Sequence, residues 1–383
     1  MLEFQAKRIL RAEGVPVPNG RVAANIVDAE QIAKELGGPV TLKAQVLVGG
    51  RGLAGGVKFA DNAEEARMAA GEILDSKIKG ENVQIILIEE KIQIENELYM
   101  GVTVDQEART PTVIASSEGG MEIELVAERF SEKIVQMKTD VYRGLLEYEA
   151  RSIAKNIGLN PRRALSFSSV LVNLYGIFKK YDAELVEINP LALTIEDNFV
   201  AVDAKLNLDD KCAFKHKDLI RALEEEVIKP TEGRHYREHL AKEAGISSYV
   251  ELDGSIGLVS DGAGTGMLAL DLVEEYGGKP ADFCELGGFM NAEMMRNALD
   301  LVSSNPNVKV MLITLIGGLT RMDEMAKGIV EFIRNRKIKI PIVVRLAGTL
   351  QEEGIRILKN VGIDSFDDMY KSIRKAVKLA GEY

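Results

Sequence analysis

The chain has 383 residues, enough for two or three domains with separate cores. Its formal net charge of −11 opposes nucleic acid and anionic membrane surfaces, so any phosphate must be bound locally, by loops, helix N-termini and a metal. Two widely separated cysteines, Cys212 and Cys284, fit neither a disulfide framework nor a metal motif and read as reduced, buried thiols. Met1–Phe4 carries no basic or apolar leader pattern, and no apolar run reaches membrane-spanning length. The expectation is a cytoplasmic protein without a targeting segment.

The elements follow in order. Gln5–Glu13 has helical periodicity and is stopped by Gly14 and Pro16. Asp28–Leu36 is a second helix, Pro39–Ala44 a strand, and residues 49–56 a loop with five glycines. A strand at Val57–Phe59, a helix at Ala63–Leu74 and an apolar strand at Gln84–Glu89 come next. Glu97–Asp105 and Pro111–Ser116 are neighbouring strands; Tyr148–Gly158 and Pro161–Lys180 are helices; Leu185–Leu193 and Phe199–Lys205 are strands. Asp218–Gly245 is charged and helical and reads as a junction between domains. Beyond it, strands at Ile256–Val259, Asp282–Glu285, Lys309–Ile316, Ile340–Leu346 and Ile363–Phe366 alternate with helices, the pattern of a doubly wound parallel sheet.

Several residues in the first half suit a nucleotide. The loop Gly49-Gly50-Arg51-Gly52 exposes backbone N–H groups to an anion, and Arg51 and Lys43 supply charge-assisted donors. The alternative is a plain flexible turn. No GxxxxGK[ST] occurs, so this is not a P-loop. Glu89 and Glu97 lie at strand ends, where a carboxylate either meets ligand hydroxyls or is solvated. A hairpin centred on Glu196 sets Asn189 opposite Asp203, with Glu187 on the same face. Two such oxygens suit Mg²⁺, which takes its remaining ligands from water and phosphate; the alternative is a polar outer face. Pro190 puts this strand at an edge or makes it irregular.

These residues, together with Gln5-Ala6-Lys7, Ser117-Glu118-Gly119-Gly120, Glu187-Ile188-Asn189-Pro190 and Asp203-Ala204-Lys205, resemble the β subunit of succinyl-CoA synthetase over essentially the whole chain. The resemblance implies an N-terminal ATP-grasp domain (residues 1–235) followed by a flavodoxin-like CoA-ligase domain (residues 236–383). It implies that Lys43, Gly50, Arg51 and Gly52 contact nucleotide phosphates, Glu89 and Glu97 the nucleoside end, and Asn189 and Asp203 Mg²⁺. Pro18 matches a proline of the ADP-forming members.

The second half has its own Gly turns after strands, at Ser260-Asp261-Gly262, Leu286-Gly287-Gly288 and Gly317-Gly318. A Rossmann fingerprint with Glu285 is disfavoured by the glycine spacing. By resemblance, Asp261, Gly318, Leu319 and Thr320 would meet the carboxylic acid substrate. A phosphorylated histidine would come from an α subunit that also holds most of the CoA, in an αβ or α₂β₂ (heterotetrameric) assembly acting in the tricarboxylic acid cycle. Glu187 would orient and charge-stabilise that histidine. His216, His235 and His239 are the histidines here; none follows a presenting glycine turn, and the His235/His239 spacing reads as a solvated helix face.

The substrate turn departs from the family. Succinate enzymes carry Asn at Asp261, Val-Gly-Gly-Gly-Ala-Thr at 286–291 (where Phe289 stands), and Ile-Val at Leu319-Thr320. A carboxylate beside a bound carboxylate removes a donor, at a cost of about 1–3 kcal/mol. Succinate therefore stays the first expectation, with malate, acetate, or a hydroxylated or sulfonated acid as alternatives. A noncatalytic nucleotide-binding regulatory paralogue, or a ligase joining acid to amine, are further alternatives.

Overall fold

The computed structural model describes every residue except 49, 53, 122, 227–233, 289, 337–338 and 382–383, and leaves out the side chains of 224–226 and 234–235. Gly49 and Leu53 of the Gly-rich loop, Phe289, and the His235 side chain thus lie outside the described residues. The chain divides into two compact units, Met1–Ile228 and Lys229–Tyr383.

The first unit opens with α1 (Glu3–Ala12), β1 (Gly20–Ala23), α2 (Ile26–Leu36), β2 (Val40–Ala44), β3 (Val57–Ala60), α3 (Ala63–Leu74), the short pair β4 (Lys77–Ile78) and β5 (Glu81–Asn82), and β6 (Ile86–Glu90). Local chemistry sets the helix ends. The Asn25 side chain accepts from the Val27 and Asp28 amides and Asn62 from that of Glu65, which satisfies N–H groups that a first turn leaves unpaired. The strands form an antiparallel sheet in the order β1-β6-β2-β3. Ala29, Ala33, Ala66 and Ala70 let α2 and α3 lie close over Leu42, Ile86 and Ile88.

The unit continues with β7 (Ile94–Asp105), β8 (Thr110–Ser116), α4 (Ile123–Arg129), β9 (Ile134–Lys138), α5 (Glu147–Asn156), α6 (Pro161–Lys180), β10 (Ala183–Thr194), β11 (Phe199–Ala201), β12 (Ala204–Leu208) and α7 (Lys217–Glu226). Asn160 caps α6, with Pro161 pre-set in its first turn. The second sheet runs β11-β10-β7-β8-β9, with β12 also on β10. Its core joins Phe167, Leu171 and Leu174 of α6 to Leu98, Met100, Val186 and Ile188. Each such fully buried side chain contributes roughly 1.5–3 kcal/mol.

The hairpin has the register centred on Glu196: Leu193 faces Phe199 and Ile188 faces Ala204. The expected single strand 199–205 is two, broken at Val202-Asp203. Nor is β10 an edge: it lies between β7 and the β11/β12 pair. Pro190 is tolerated because it sits where both ladders are interrupted, the β7 register shifting between Ile188 and Leu191.

In the second unit α8 (Arg234–Glu243) leads to β13 (Ser248–Glu251), β14 (Ile256–Ser260), α9 (Ala263–Glu275), β15 (Asp282–Glu285), α10 (Ala292–Ser303), β16 (Val310–Gly317), α11 (Met322–Asn335), β17 (Ile342–Gly348), α12 (Gln351–Lys359), β18 (Ser365–Phe366) and α13 (Met369–Gly381). The five strands from β14 on are parallel in the order β15-β14-β16-β17-β18, the flavodoxin-like arrangement, and β13 adds an antiparallel edge. Cores fill both faces. Cys284 is buried and free; Cys212 is free but only partly buried, because its short 3-10 turn lies at the surface, which corrects the expectation for that thiol.

Candidate functional site

In the first unit six charged side chains meet in one cluster, buried except at Asp203, whose side chain is 38% exposed. Lys43, in the fully buried strand β2, places Nζ 2.9 Å from Glu3 and 3.1 Å from Glu89, and donates to the Val202 carbonyl at 2.5 Å. Lys7 donates to Glu89 at 2.6 and 2.8 Å and to the same carbonyl at 2.5 Å. Arg51 Nη2 reaches Glu3 at 2.9 Å and both Asp203 oxygens at 2.9 and 3.1 Å, while Nη1 donates to the Ala44 carbonyl. Three cations therefore balance three carboxylates.

This mutual pairing is why such burial is tolerated. Burial alone would lift the Glu3 pKa, but Lys43, Lys7 and Arg51 hold it well below the usual range. Burial would lower that of Lys43; Glu3, Glu89 and Asp203 outweigh it and raise it. For Lys7 burial prevails and lowers it. Asp203 is pushed up by burial and by Glu3. Gly50 and Gly52 flank Arg51 at the surface, and a Cβ on Gly52 would meet only open space.

Beside the cluster the hairpin presents its oxygens. The Asn189 N–H donates to the Asp203 carbonyl at 3.2 Å, so the two residues oppose each other. The Asn189 Oδ1 accepts from the Gly120 N–H and its Nδ2 donates to the Met121 carbonyl, both at 2.8 Å. Glu187, half-buried between Lys205 and Gly101, has its carboxyl pushed up by burial, partly offset by Lys205. The buried Tyr99 phenol is raised by burial and by the neighbouring Glu187 and Glu124. Oδ1 of Asn189 keeps a second lone pair, and the Asp203 carboxylate adds hard oxygens, a donor set that fits Mg²⁺. Among the described residues no group of three or more His, Cys, Asp or Glu is disposed to hold a metal alone, so a cation here would depend on nucleotide oxygens.

In the second unit the turns after β14, β15 and β16 are tied together. Asp261 Oδ2 accepts from the Ile316 N–H at 2.7 Å, while its Oδ1 is buried without a partner. Burial raises the Asp261 pKa, and the Ile316 N–H opposes the shift. Thr320, buried, donates from Oγ1 to the Gly288 carbonyl at 3.1 Å; Leu319 beside it is 76% exposed. These groups surround the switch point between β14 and β16, where open α/β sheets bind ligands.

The chain matches family models of the ATP-grasp domain over residues 1–193 and of CoA-ligase over residues 259–379. It is 40% identical to the succinate–CoA ligase [ADP-forming] subunit beta of Staphylothermus marinus, over 99% of this chain and 98% of that one. It is 43% identical to subunit beta 2 of the same enzyme from Archaeoglobus fulgidus, over 99% of each. The chain belongs to the ADP-forming succinate–CoA ligase β-subunit family. The structure of an ATP citrate lyase from Methanothrix soehngenii, in complex with citrate and coenzyme A, superposes with a TM-score of 0.77 over 99% of each chain at 20% identity, a likeness of fold.

Family membership makes this the β subunit of an ADP-forming CoA ligase, with ATP-grasp and CoA-ligase parts in that order. The structure brings Lys43, Arg51, Glu89 and Asp203 into one cluster, with Asn189 opposite Asp203. It turns the Glu89 carboxylate inward as a counter-ion for Lys7 and Lys43, both ammonium groups lying within 3.1 Å. Sequence reasoning missed Glu3 and Lys7, which complete the cluster. Their spacing of four on α1 does not by itself distinguish them from a solvated pair. His239 pairs with Glu243 at 3.3 Å and His216 with Asp182 at 2.9 Å. No helix among the described residues is long and apolar enough to cross a membrane.

Proposed function

We propose that this subunit uses ATP to phosphorylate a histidine on a partner α subunit, and that the phosphate then activates a small carboxylic acid, first of all succinate, for attack by CoA. The observation that supports it most is the convergence of Lys43 and Arg51 with Asp203 and Asn189. Lys43 and Arg51 receive the nucleotide phosphates at the Gly50–Gly52 turn; charge-assisted bonds to phosphate are stronger than neutral ones. Asn189 and Asp203 would hold Mg²⁺, which would supply neutralisation of phosphate charge when bound. Glu97 meets the nucleoside end.

Glu187 orients the incoming histidine. Its raised carboxyl pKa suits a group that can accept a proton from the imidazole and balance its charge. Phosphate leaves the histidine for the substrate carboxylate, giving an acyl phosphate; the CoA thiolate attacks that carbonyl and phosphate departs. The Asp261, Gly318, Leu319 and Thr320 turns hold the acid. A second reading of the acid rests on the buried Asp261 carboxylate at the turn after β14, which favours a substrate carrying a hydroxyl or other donor over plain succinate.

The test is labelling with γ-phosphate-labelled ATP after co-expression with the α partner. An acid-labile, base-stable phosphate on the partner, lost when CoA and acid are added, supports the reading. Nucleotide binding without any partner labelling overturns it.

A further inference from the structure

The turn between β8 and α4 lies against both ends of the candidate nucleotide site. Its Gly120 N–H and Met121 carbonyl grip the Asn189 amide from two sides, each at 2.8 Å. One bond requires an oxygen and the other an N–H₂, so together they fix which end of the amide is which. The turn can come this close because residue 119 lacks a side chain, and residue 120 adopts a backbone conformation that favours glycine. A Cβ on Gly119 would collide with the Leu98 carbonyl of β7, and one on Gly120 with the Glu97 carboxylate. Gly120 also has φ +76°, in the left-handed region.

We propose that the Gly119-Gly120-Met121 turn is a positioning element for the metal site: it holds the Asn189 amide with Oδ1 available to the cation and Nδ2 turned away. The inference rests on the reading of Asn189 as a Mg²⁺ ligand. Outer partners of this kind fix ligand orientation, and their loss typically weakens metal binding about 10–100-fold. The grip has a consequence that charge alone does not give. An aspartate at 189 would add a negative charge beside the metal, yet its second oxygen would face the Met121 carbonyl, where the amide now donates, and lie near the Glu187 carboxyl, which the amide also meets.

The experiment is calorimetry of ADP binding to the full chain, with and without Mg²⁺, for the parent, Gly119→Ala, Asn189→Asp and the double variant. Gly119→Ala moves the turn off Leu98 of β7, and with it the contact of Gly120 with Glu97. It should reduce the enhancement of ADP affinity by Mg²⁺, read as the ratio of affinities with and without the metal, about 10–100-fold. Asn189→Asp should weaken Mg²⁺-dependent binding in the native turn, and weaken it less, or strengthen it, once Gly119→Ala has displaced Met121; neighbouring sites couple in this non-additive way. Tighter Mg²⁺-dependent binding by Asn189→Asp in the native turn overturns the proposal, even if Gly119→Ala fails to fold. So does an undiminished Mg²⁺ enhancement in a folded Gly119→Ala. A parent chain that binds ADP without any Mg²⁺ effect removes the metal reading itself, and the proposal with it.

Discussion

Glu3 bridges three cations from inside the first unit, and its replacement by Gln tests whether that cluster carries the stability assigned to it. The Glu3 side chain is 1% exposed and contacts Lys7 at 2.8 Å and Lys43 and Arg51 at 2.9 Å. Gln keeps the volume and removes the charge, which leaves three buried cations facing two carboxylates. Breaking a buried pair by removing one partner costs about 3–5 kcal/mol. At roughly 2–4 °C per kcal/mol for a unit of this size, the first unit's transition should fall by about 6–20 °C. Calorimetric unfolding measures it. Adding Lys7→Met to Glu3→Gln restores neutrality and should recover part of the loss, since removing both members of a buried pair costs less than removing one.

Linkage gives the sign with pH. The Glu3 pKa is lowered in the fold, so the unfolded chain binds more protons in acid. Its stabilisation is full above the ordinary value of 4.5 and fades as pH falls below it toward the folded value. Glu3→Gln should lack this acid-dependent loss. A Glu3→Gln chain that unfolds within about 0.5 kcal/mol of the parent at pH 7, the range of an ordinary surface change, would refute the cluster's role.

Three further outcomes are expected. Asp261→Asn should raise kcat/KM for succinate relative to hydroxylated acids by about tenfold, the equivalent of roughly 1.4 kcal/mol; unchanged or lower succinate use in initial-rate assays would show that Asp261 does not discriminate. Asp282, fully buried on β15, has its carboxyl pushed up to about 8 by burial. Its folded pKa is raised, so stability falls as pH rises from about 4 to 8, and Asp282→Asn should gain stability across that window by denaturant titration; equal pH profiles would contradict this. Arg51→Met should lower ADP affinity by at least about tenfold, for loss of a charge-assisted contact, while sparing adenosine. Calorimetry showing equal losses for both ligands would mean that Arg51 serves the fold and does not meet phosphate.

Local chemistry made much of the fold legible. Asn25, Asn62 and Asn160 cap helices that start within two residues of where periodicity placed them, and the centre of the β10–β11 hairpin followed from the length of its turn. The missed strands are β1, β4, β5, β9 and β13, all at sheet edges and none longer than five residues, too short to show a clear alternation. Asn189 and Asp203 could be paired because they share one hairpin. Glu3 and Lys7 could not be placed: two charges four apart on a short helix look like a solvated pair. Only residues far along the chain, Lys43, Glu89 and Val202, enclose them. The grip of Gly120 and Met121 on Asn189 spans a similar gap in sequence and left no local trace.

The most direct test is ADP release from ATP by this chain co-expressed with its α partner, measured with CoA against a panel of small acids that includes succinate. ADP formation that requires both CoA and one acid, with the acyl-CoA formed in equal amount, is the predicted result. ADP formation independent of CoA, or none on any acid although Mg·ATP binds and the partner histidine remains unphosphorylated, would contradict the account.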